Sequence, residues 1–534
     1  MTDRSRDDYA SRGWLAVAAL IAVLVAVGFI PPQTIGGVRL RRANILSDIY
    51  TFDDVVAAET ALDFDDEVSS IDMESVSEIV AADTVPCGAQ IVYEWYPLGK
   101  FDDEDRTDVP ASFDRGMLAP KPDDVRLSPA LVPIEDYGGH MAAFFDTLLF
   151  AQRPVRIAFL GDSFIEGDIL TADLRERLQL AYGGGGTGFA PMASPLTAYR
   201  RSIKTAAKGW TSYNIMQRRN APEALRNRFY VSGWVCQPAA GASTTWTCTD
   251  FREQLDECTE ARIFFISPSD SRVEVTVNDS LWRSFSIEGD PAVREIVVGA
   301  PRIGSLTFRV DEGQEGFVGY GALFDGRGVS VDNYSVRSNN GRALFWTNPS
   351  VDAQMQALLH YDLVILQYGL NIMQQGVRLY GRYGTQLEQM VAFVRECFPG
   401  AAVLLLGVSD RSVKTGSGFE PMDAIPYMVA CQRAAAERSG AAFWPTNEAM
   451  RTWGGMSAFV TNGWAAKDHT HINYAGGRRV AWSLADAIHA GVQAAYEARK
   501  AEEARRATEN LLDSLQREQI RQALLPDIVV APLD

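Results

Sequence analysis

Ser163 follows directly on an apolar run, VRIAFL at 155–160, that suits a buried parallel strand. Behind it, ILTADLRERLQLAY places Ile169, Leu174 and Leu178 at helical spacing. A serine between a strand end and a helix mouth stands where open α/β sheets hold their ligands. Unpaired N–H groups at such a helix start can stabilise a developing oxyanion. Far downstream, KDHTHINYAGG sets Asp468 and His471 three residues apart, just ahead of another helical pattern. The chain has 5 histidines, and His469 and His471 both fall in this one turn. A hydroxyl nucleophile needs a base within reach, and an imidazole base needs a partner to fix its tautomer. A third apolar run, YDLVILQYGLN at 361–371, ends in Gly369-Leu370-Asn371. Each piece alone has a plainer reading: a strand-to-helix turn, an N-cap, a packed surface ring. Together they point to acyl transfer through a serine.

These three blocks resemble the SGNH (GDSL-type) hydrolase superfamily. Gly161-Asp162-Ser163 is similar to the first block, with Phe164 where the eponymous leucine stands. Gly369-Leu370-Asn371 resembles the G-x-N block, and Asp468-His469-Thr470-His471 the D-x-x-H block. The wider text over roughly residues 131–495 is similar to membrane-anchored bacterial esterases, some of them peptidoglycan O-acetylesterases. The resemblance implies Ser163 as nucleophile, His471 as general base and Asp468 as its orienting carboxylate. It implies an oxyanion hole from the Ser163 backbone N–H, the Asn371 amide and a second backbone N–H. The family takes that second N–H from a glycine; here Ser338 in VRSNNG stands in its place, so its φ/ψ must be compatible. The chain lacks a G-x-S-x-G elbow at this serine, which argues against an α/β-hydrolase fold. Neither a metal nor an organic cofactor is required by this chemistry.

Strand-like runs at 403–410 and 441–444 follow the helical patterns QLEQMVAFVRECF and YMVACQRAAAERSG, with Gly440 as a C-cap stop. This alternation predicts an α/β fold, a three-layer α/β/α domain around a parallel sheet. Asp410 and Arg411 fall just past a strand end and are candidates to line the cleft. Between residues 200 and 330, RVEVTVND, LWRSFSI, REIVVGA and SLTFRVD alternate apolar and polar residues. That pattern predicts an inserted antiparallel β-sandwich. The resemblance implies a jelly-roll, carbohydrate-module-like insert, in which Trp210, Trp234, Trp246 and Trp282 are candidates for stacking on sugars. The glycine run 183–186 lacks the Gly-Lys-Ser/Thr of a P-loop and reads as a tight connection beside the serine.

The expected organisation is an N-terminal transmembrane anchor at 1–31 and an acidic linker at 32–130, irregular apart from IVYEWY. The hydrolase domain follows at 131–199 and 331–495, split by the insert at 200–330, with a charged C-terminal helix at 496–534. The anchor rests on Trp14–Ile30, seventeen residues without a charge. As a helix that run is roughly 25 Å long, enough for a bilayer core. Arginines flank it on both sides, so charge does not orient it. At 534 residues there is ample chain for a large core, while a net charge of −18 argues against nucleic acid as a partner. Six cysteines without zinc-like spacing exclude a disulfide-dense miniprotein, although Cys236, Cys248 and Cys258 are candidates for pairing.

The reading is a membrane-anchored serine esterase that removes O-acyl, above all O-acetyl, groups from an envelope polysaccharide such as peptidoglycan. The resemblance places its catalytic domain in a bacterial periplasm. Two alternatives stand beside it. One is a polysaccharide O-acetyltransferase partnered with a membrane-bound O-acyltransferase; the other is a glycan-binding scaffold without turnover. Three blocks define a superfamily and not a substrate.

Overall fold

The computed structural model describes residues 34–35, 38–39, 88–99, 129–150, 153–249, 251–252, 258–326, 328–416 and 418–524. The expected anchor at 14–30 lies outside the described residues; among those described, no helix is long and apolar enough to cross a membrane. The chain divides into two compact units, Met1–Ile71 and Asp72–Asp534. In the first, Thr34–Ile35 pairs antiparallel with Val38–Arg39.

The second unit is built on a parallel sheet of β1 (Val155–Gly161), β2 (Val329–Ser335), β3 (Tyr361–Gln367), β4 (Ala402–Leu406) and β5 (Ala442–Trp444). Their order is β2-β1-β3-β4-β5, closed at one edge by the antiparallel pair Glu135–Asp136. Every residue of β1, β3 and β4 is buried, which is why these strands read as unbroken apolar runs. Two sets of helices cover them. One comprises α1 (Met141–Phe150), α2 (Thr171–Tyr182) and α6 (Tyr474–Leu524). The other comprises α3 (Pro349–Leu359), α4 (Gly381–Cys397) and α5 (Ile425–Ser439). Gly440 ends α5 in the left-handed conformation, φ 64°, as the sequence pattern required. The strand order reverses between β1 and β3, so their carboxyl ends border the crevice where such sheets bind ligands.

Eight strands of the insert, together with Gln90–Trp95 and Gly188–Pro191, form one connected hydrogen-bonded network. Trp246, Phe265, Phe308 and Phe317 lie in its core, with Phe265 and Phe317 stacked at 5.3 Å. Each such buried side chain contributes roughly 1.5–3 kcal/mol relative to exposure. Trp246 and Trp234 are buried and Trp210 half-buried, whereas Trp282 is 66% exposed, so the four tryptophans do not form one sugar platform.

Three sequence expectations are corrected here. Residues 32–130 are not all linker: the excepted IVYEWY run falls in Gln90–Trp95, which adds to the insert as a strand parallel to Asp290–Ile303. The charged C-terminal helix is not a separate element at 496–534, because α6 runs without a break from Tyr474 to Leu524. Its apolar residues pack down the domain as far as Val492, and Leu511, Leu512, Leu515 and Ile520 beyond are exposed. The glycine run at 183–186 is not beside Ser163; Gly183 O accepts the N–H of Val329, where β2 begins, at the opposite end of the sheet. The twelve-residue α2 carries the chain back to that end.

Candidate active site

Ser163 lies two residues past β1. It does not sit at the mouth of a helix as expected: a single helical turn, Glu166–Asp168, intervenes before α2 begins at Thr171. The N–H groups near Ser163 thus belong to a turn. Asp162 shapes it, its Oδ1 accepting the Phe164 N–H at 2.9 Å. Burial pushes the Asp162 carboxyl up to about 7, against the Phe164 N–H and the nearby His471 charge.

Asn371 follows β3 by four residues, across the crevice from Ser163. Its amide donates to Asp162 Oδ2 at 3.1 Å and to the Asn339 carbonyl at 3.0 Å. A Cβ at Gly369 would strike Val408 and Gln432, and φ there is +120°, so the first position of this block must be glycine. Asn339 follows Ser338, which adopts φ +60°. That left-handed geometry is one a glycine satisfies without strain, and here a serine holds it.

The Asp468–His471 turn precedes α6. Asp468 Oδ1 accepts the backbone N–H of Thr470 and His471 at 2.9 and 3.0 Å, and Oδ2 meets His471 Nδ1 at 2.6 Å. Burial alone would raise the Asp468 carboxyl, but these hydrogen bonds hold it at about 2. It is therefore an anion at neutral pH and fixes a proton on Nδ1, which leaves Nε2 as the basic nitrogen. The bond to Asp468 raises the His471 pKa above its ordinary value, burial opposes this, and the Asp162 and Arg411 charges act in opposite directions.

Packing brings this turn to the serine. Tyr474, the first residue of α6, donates from its hydroxyl to the carbonyls of Gly167 and Tyr199. A Cβ at Gly477 would collide with the Ile169 carbonyl, so α6 rests directly on the segment that follows Ser163. Among the described residues no hydrogen bond engages the Ser163 hydroxyl, and the link to the His471 ring is open in this structure. Without substrate such contacts are commonly long. The five predicted residues thus lie on four segments at one end of the sheet.

Several neighbours were not legible as site residues. Glu166 is held by the Arg337 guanidinium at 2.6 Å, which ties the turn after Ser163 to the residue before Ser338. Phe419, on a hairpin of Ser412–Thr415 and Gly418–Pro421, stacks on His469 at 3.7 Å. The same hairpin donates the Ser412 N–H to the His469 carbonyl. Arg411 Nε is buried without a hydrogen bond among the described residues, and its charge reaches Asp468 and His471. Of these neighbours, Arg411 was expected from its place just past a strand end, and Asp162 lies inside the first block. Asp410 points elsewhere, accepting the Met456 N–H at 2.8 Å. Among the described residues no cluster of side chains could hold a metal ion.

A serine, an imidazole–carboxylate pair and an amide thus stand at the switch point of a three-layer sheet, an arrangement whose fold has solved counterparts. No protein-family model and no curated protein matches this sequence. The chain is similar in structure to a protein described as a peptidoglycan O-acetylesterase. They share 22% sequence identity with a TM-score of 0.55, over 68% of this chain and 99% of that one. A Bacillus subtilis protein matches at 15% identity and TM-score 0.26, over 54% of this chain and 90% of its own. A lipase/acylhydrolase from Enterococcus faecalis matches at 15% identity and TM-score 0.24, over 30% and 76%. The likeness to the first of these shows a shared fold.

Proposed function

We propose that this chain is a serine esterase that removes O-acyl groups, above all O-acetyl groups, from a polysaccharide through an acyl-serine intermediate. One observation carries the reading: the 2.6 Å Asp468–His471 pair is held by α6 against the segment after Ser163, with the Asn371 amide at the neighbouring strand end. His471 Nε2 takes the proton of Ser163 as the hydroxyl attacks the ester carbonyl. The tetrahedral oxyanion is met by the Ser163 N–H, the Ser338 N–H and the Asn371 amide. Each such donor is worth about 2.7–4 kcal/mol of barrier. Both Asn371 amide protons are engaged in the resting site, so one is shared with the oxyanion as it forms. His471 then protonates the leaving alcohol, and water releases the acid by the reverse sequence.

The similarity to a peptidoglycan O-acetylesterase supports an acetylated glycan as substrate. Tethering through Trp14–Ile30, with the catalytic unit in a bacterial periplasm, belongs to the same proposal and rests on the apolar run.

The purified chain is expected to cleave p-nitrophenyl acetate and O-acetylated peptidoglycan. Ser163→Ala and His471→Ala each lower the rate on the order of 10³–10⁶-fold with the fold intact. A fluorophosphonate probe labels Ser163 in the wild type. Equal hydrolysis by wild type and Ser163→Ala overturns the reading. Release of little acetate with rapid transfer to added oligosaccharide points to an acyltransferase working with a membrane-bound partner. Glycan binding without labelling points to a scaffold.

A further inference from the structure

Two thiols lie outside the chemistry above. Cys248 ends the strand Trp234–Cys248, Cys258 opens the strand Cys258–Ser267, and their Sγ atoms are 4.0 Å apart. Both are pinned beside the same short segment, residues 303–304. The Cys248 N–H donates to Gly304 O at 2.9 Å, while Cys258 stands opposite Ile303 in the ladder. Cys258 is buried and Cys248 half-buried. The other described cysteines do not share this arrangement. Cys236 contacts Ser212 Oγ and the Ala193 carbonyl, Cys431 donates to the Tyr380 carbonyl, and Cys397 is buried in α4. Burial pushes the Cys236 thiol up to about 11, which makes it a poor nucleophile.

We propose that Cys248 and Cys258 form an intramolecular disulfide when the chain meets a low-molecular-weight disulfide such as glutathione disulfide. Cys248, the accessible member, attacks the oxidant as a thiolate and expels one glutathione thiolate. Cys258 gives up its proton, attacks Cys248 Sγ of the mixed disulfide and expels the second. One S–S bond breaks in the oxidant and one forms in the protein; two glutathione thiols carry away the two electrons and two protons. The sulfurs must close by about 2 Å to reach bonding distance, a movement a side-chain rotation supplies.

The bond would join the chain on either side of Phe251 and Arg252. The buried Arg252 guanidinium donates to the Ala172 carbonyl at the start of α2 and lies 3.9 Å from Asp173. Arg478 of α6 holds the same Asp173 at 2.9 Å. Arg201 lies over both the Phe251 ring, at 5.6 Å, and the Tyr474 ring, at 3.8 Å. Phe251 and Arg252 therefore join the insert to α2, which follows Ser163, and to α6, which follows His471. A covalent clip across them reduces the number of undocked conformations available to them. The inference is independent of the esterase reading.

The test is peptide mapping of the full chain after incubation with glutathione disulfide, with free thiols alkylated before tryptic digestion. The expected product joins residues 229–252 to 253–262 through Cys248 and Cys258. It leaves Cys236 alkylated and disappears on reduction. Oxidation is also expected to slow proteolysis at Arg252 in wild type and not in Cys248→Ser. Alkylation of both thiols after oxidation overturns the proposal, and so does a bond from either to Cys87 or Cys236. The map is read on wild-type protein, so the decision does not depend on whether the serine variant folds.

Discussion

Asp468 divides its two oxygens, one closing the turn through two backbone N–H groups and the other holding the imidazole. A base must be neutral to accept the serine proton, so activity should rise with pH as His471 loses its charge. The midpoint should lie above the ordinary histidine value because Asp468 stabilises the charged ring. Asp468→Asn removes that influence and fixes the tautomer less well. Its pH–rate profile should have the acid limb displaced to lower pH, with kcat reduced on the order of 10⁴-fold. A limb displaced upward would show that another carboxylate governs the ring. Ser338 poses a separate question, of backbone strain. A left-handed φ costs an L-residue roughly 1–2 kcal/mol, while glycine loses roughly 0.5–1 kcal/mol in chain entropy. Ser338→Gly should therefore raise stability by about 0.5–1 kcal/mol, read as a higher denaturation midpoint, with esterase activity kept. A fall in midpoint would mean that the serine side chain contributes a contact worth more than the strain.

At the scale of elements, the parallel strands were legible because full burial on both faces leaves an unbroken apolar text, as in β1 and β3. The Gly161-Asp162-Ser163 and Gly369-Leu370-Asn371 blocks were legible for the same reason, since each stands at the end of such a strand. What escaped depends on partners distant in sequence. Gln90–Trp95 is short and mostly exposed, and only its pairing with Asp290–Ile303, two hundred residues on, makes it a strand. The hairpin that stacks Phe419 on His469 and the Arg337–Glu166 pair likewise link segments whose contact no local pattern announces. Helix α6 was read correctly at its start, yet its charged half merged with the buried half because no glycine or proline interrupts residues 492–524. The seating of α6 is the feature most open to test. Gly477→Ala places a methyl group against the Ile169 carbonyl, and the helix must back away, taking the His471 turn with it. A loss of kcat greater than tenfold is expected, with stability lowered by about 1–3 kcal/mol and helical content unchanged. Unaltered kcat would show that the turn is positioned without α6.

Over the whole second unit, the insert and the parallel sheet are joined by buried polar groups. Arg156 in β1 donates from Nε to Asp325, at the end of the insert strand Val318–Asp325, at 3.0 Å, and from Nη1 to the Leu359 carbonyl at 2.9 Å. Arg262 of the insert pairs with Glu295 and also donates to the Leu358 carbonyl of α3 at 2.9 Å. Val293 N–H reaches Gln354 of the same helix at 2.8 Å. Gly188–Pro191, reached directly from α2, pairs with the insert strand that leads back toward β2. Neither part can unfold without stranding charges in the other, so the two should melt as one. Arg156→Leu leaves Asp325 buried without its guanidinium and should cost about 3–5 kcal/mol. Adding Asp325→Leu should restore much of that loss, because the unpaired charge goes with it. Calorimetry of the variants should show one transition that shifts as a unit. A second transition appearing in Arg156→Leu would mean that the insert folds on its own and that the polar seam serves orientation and not stability.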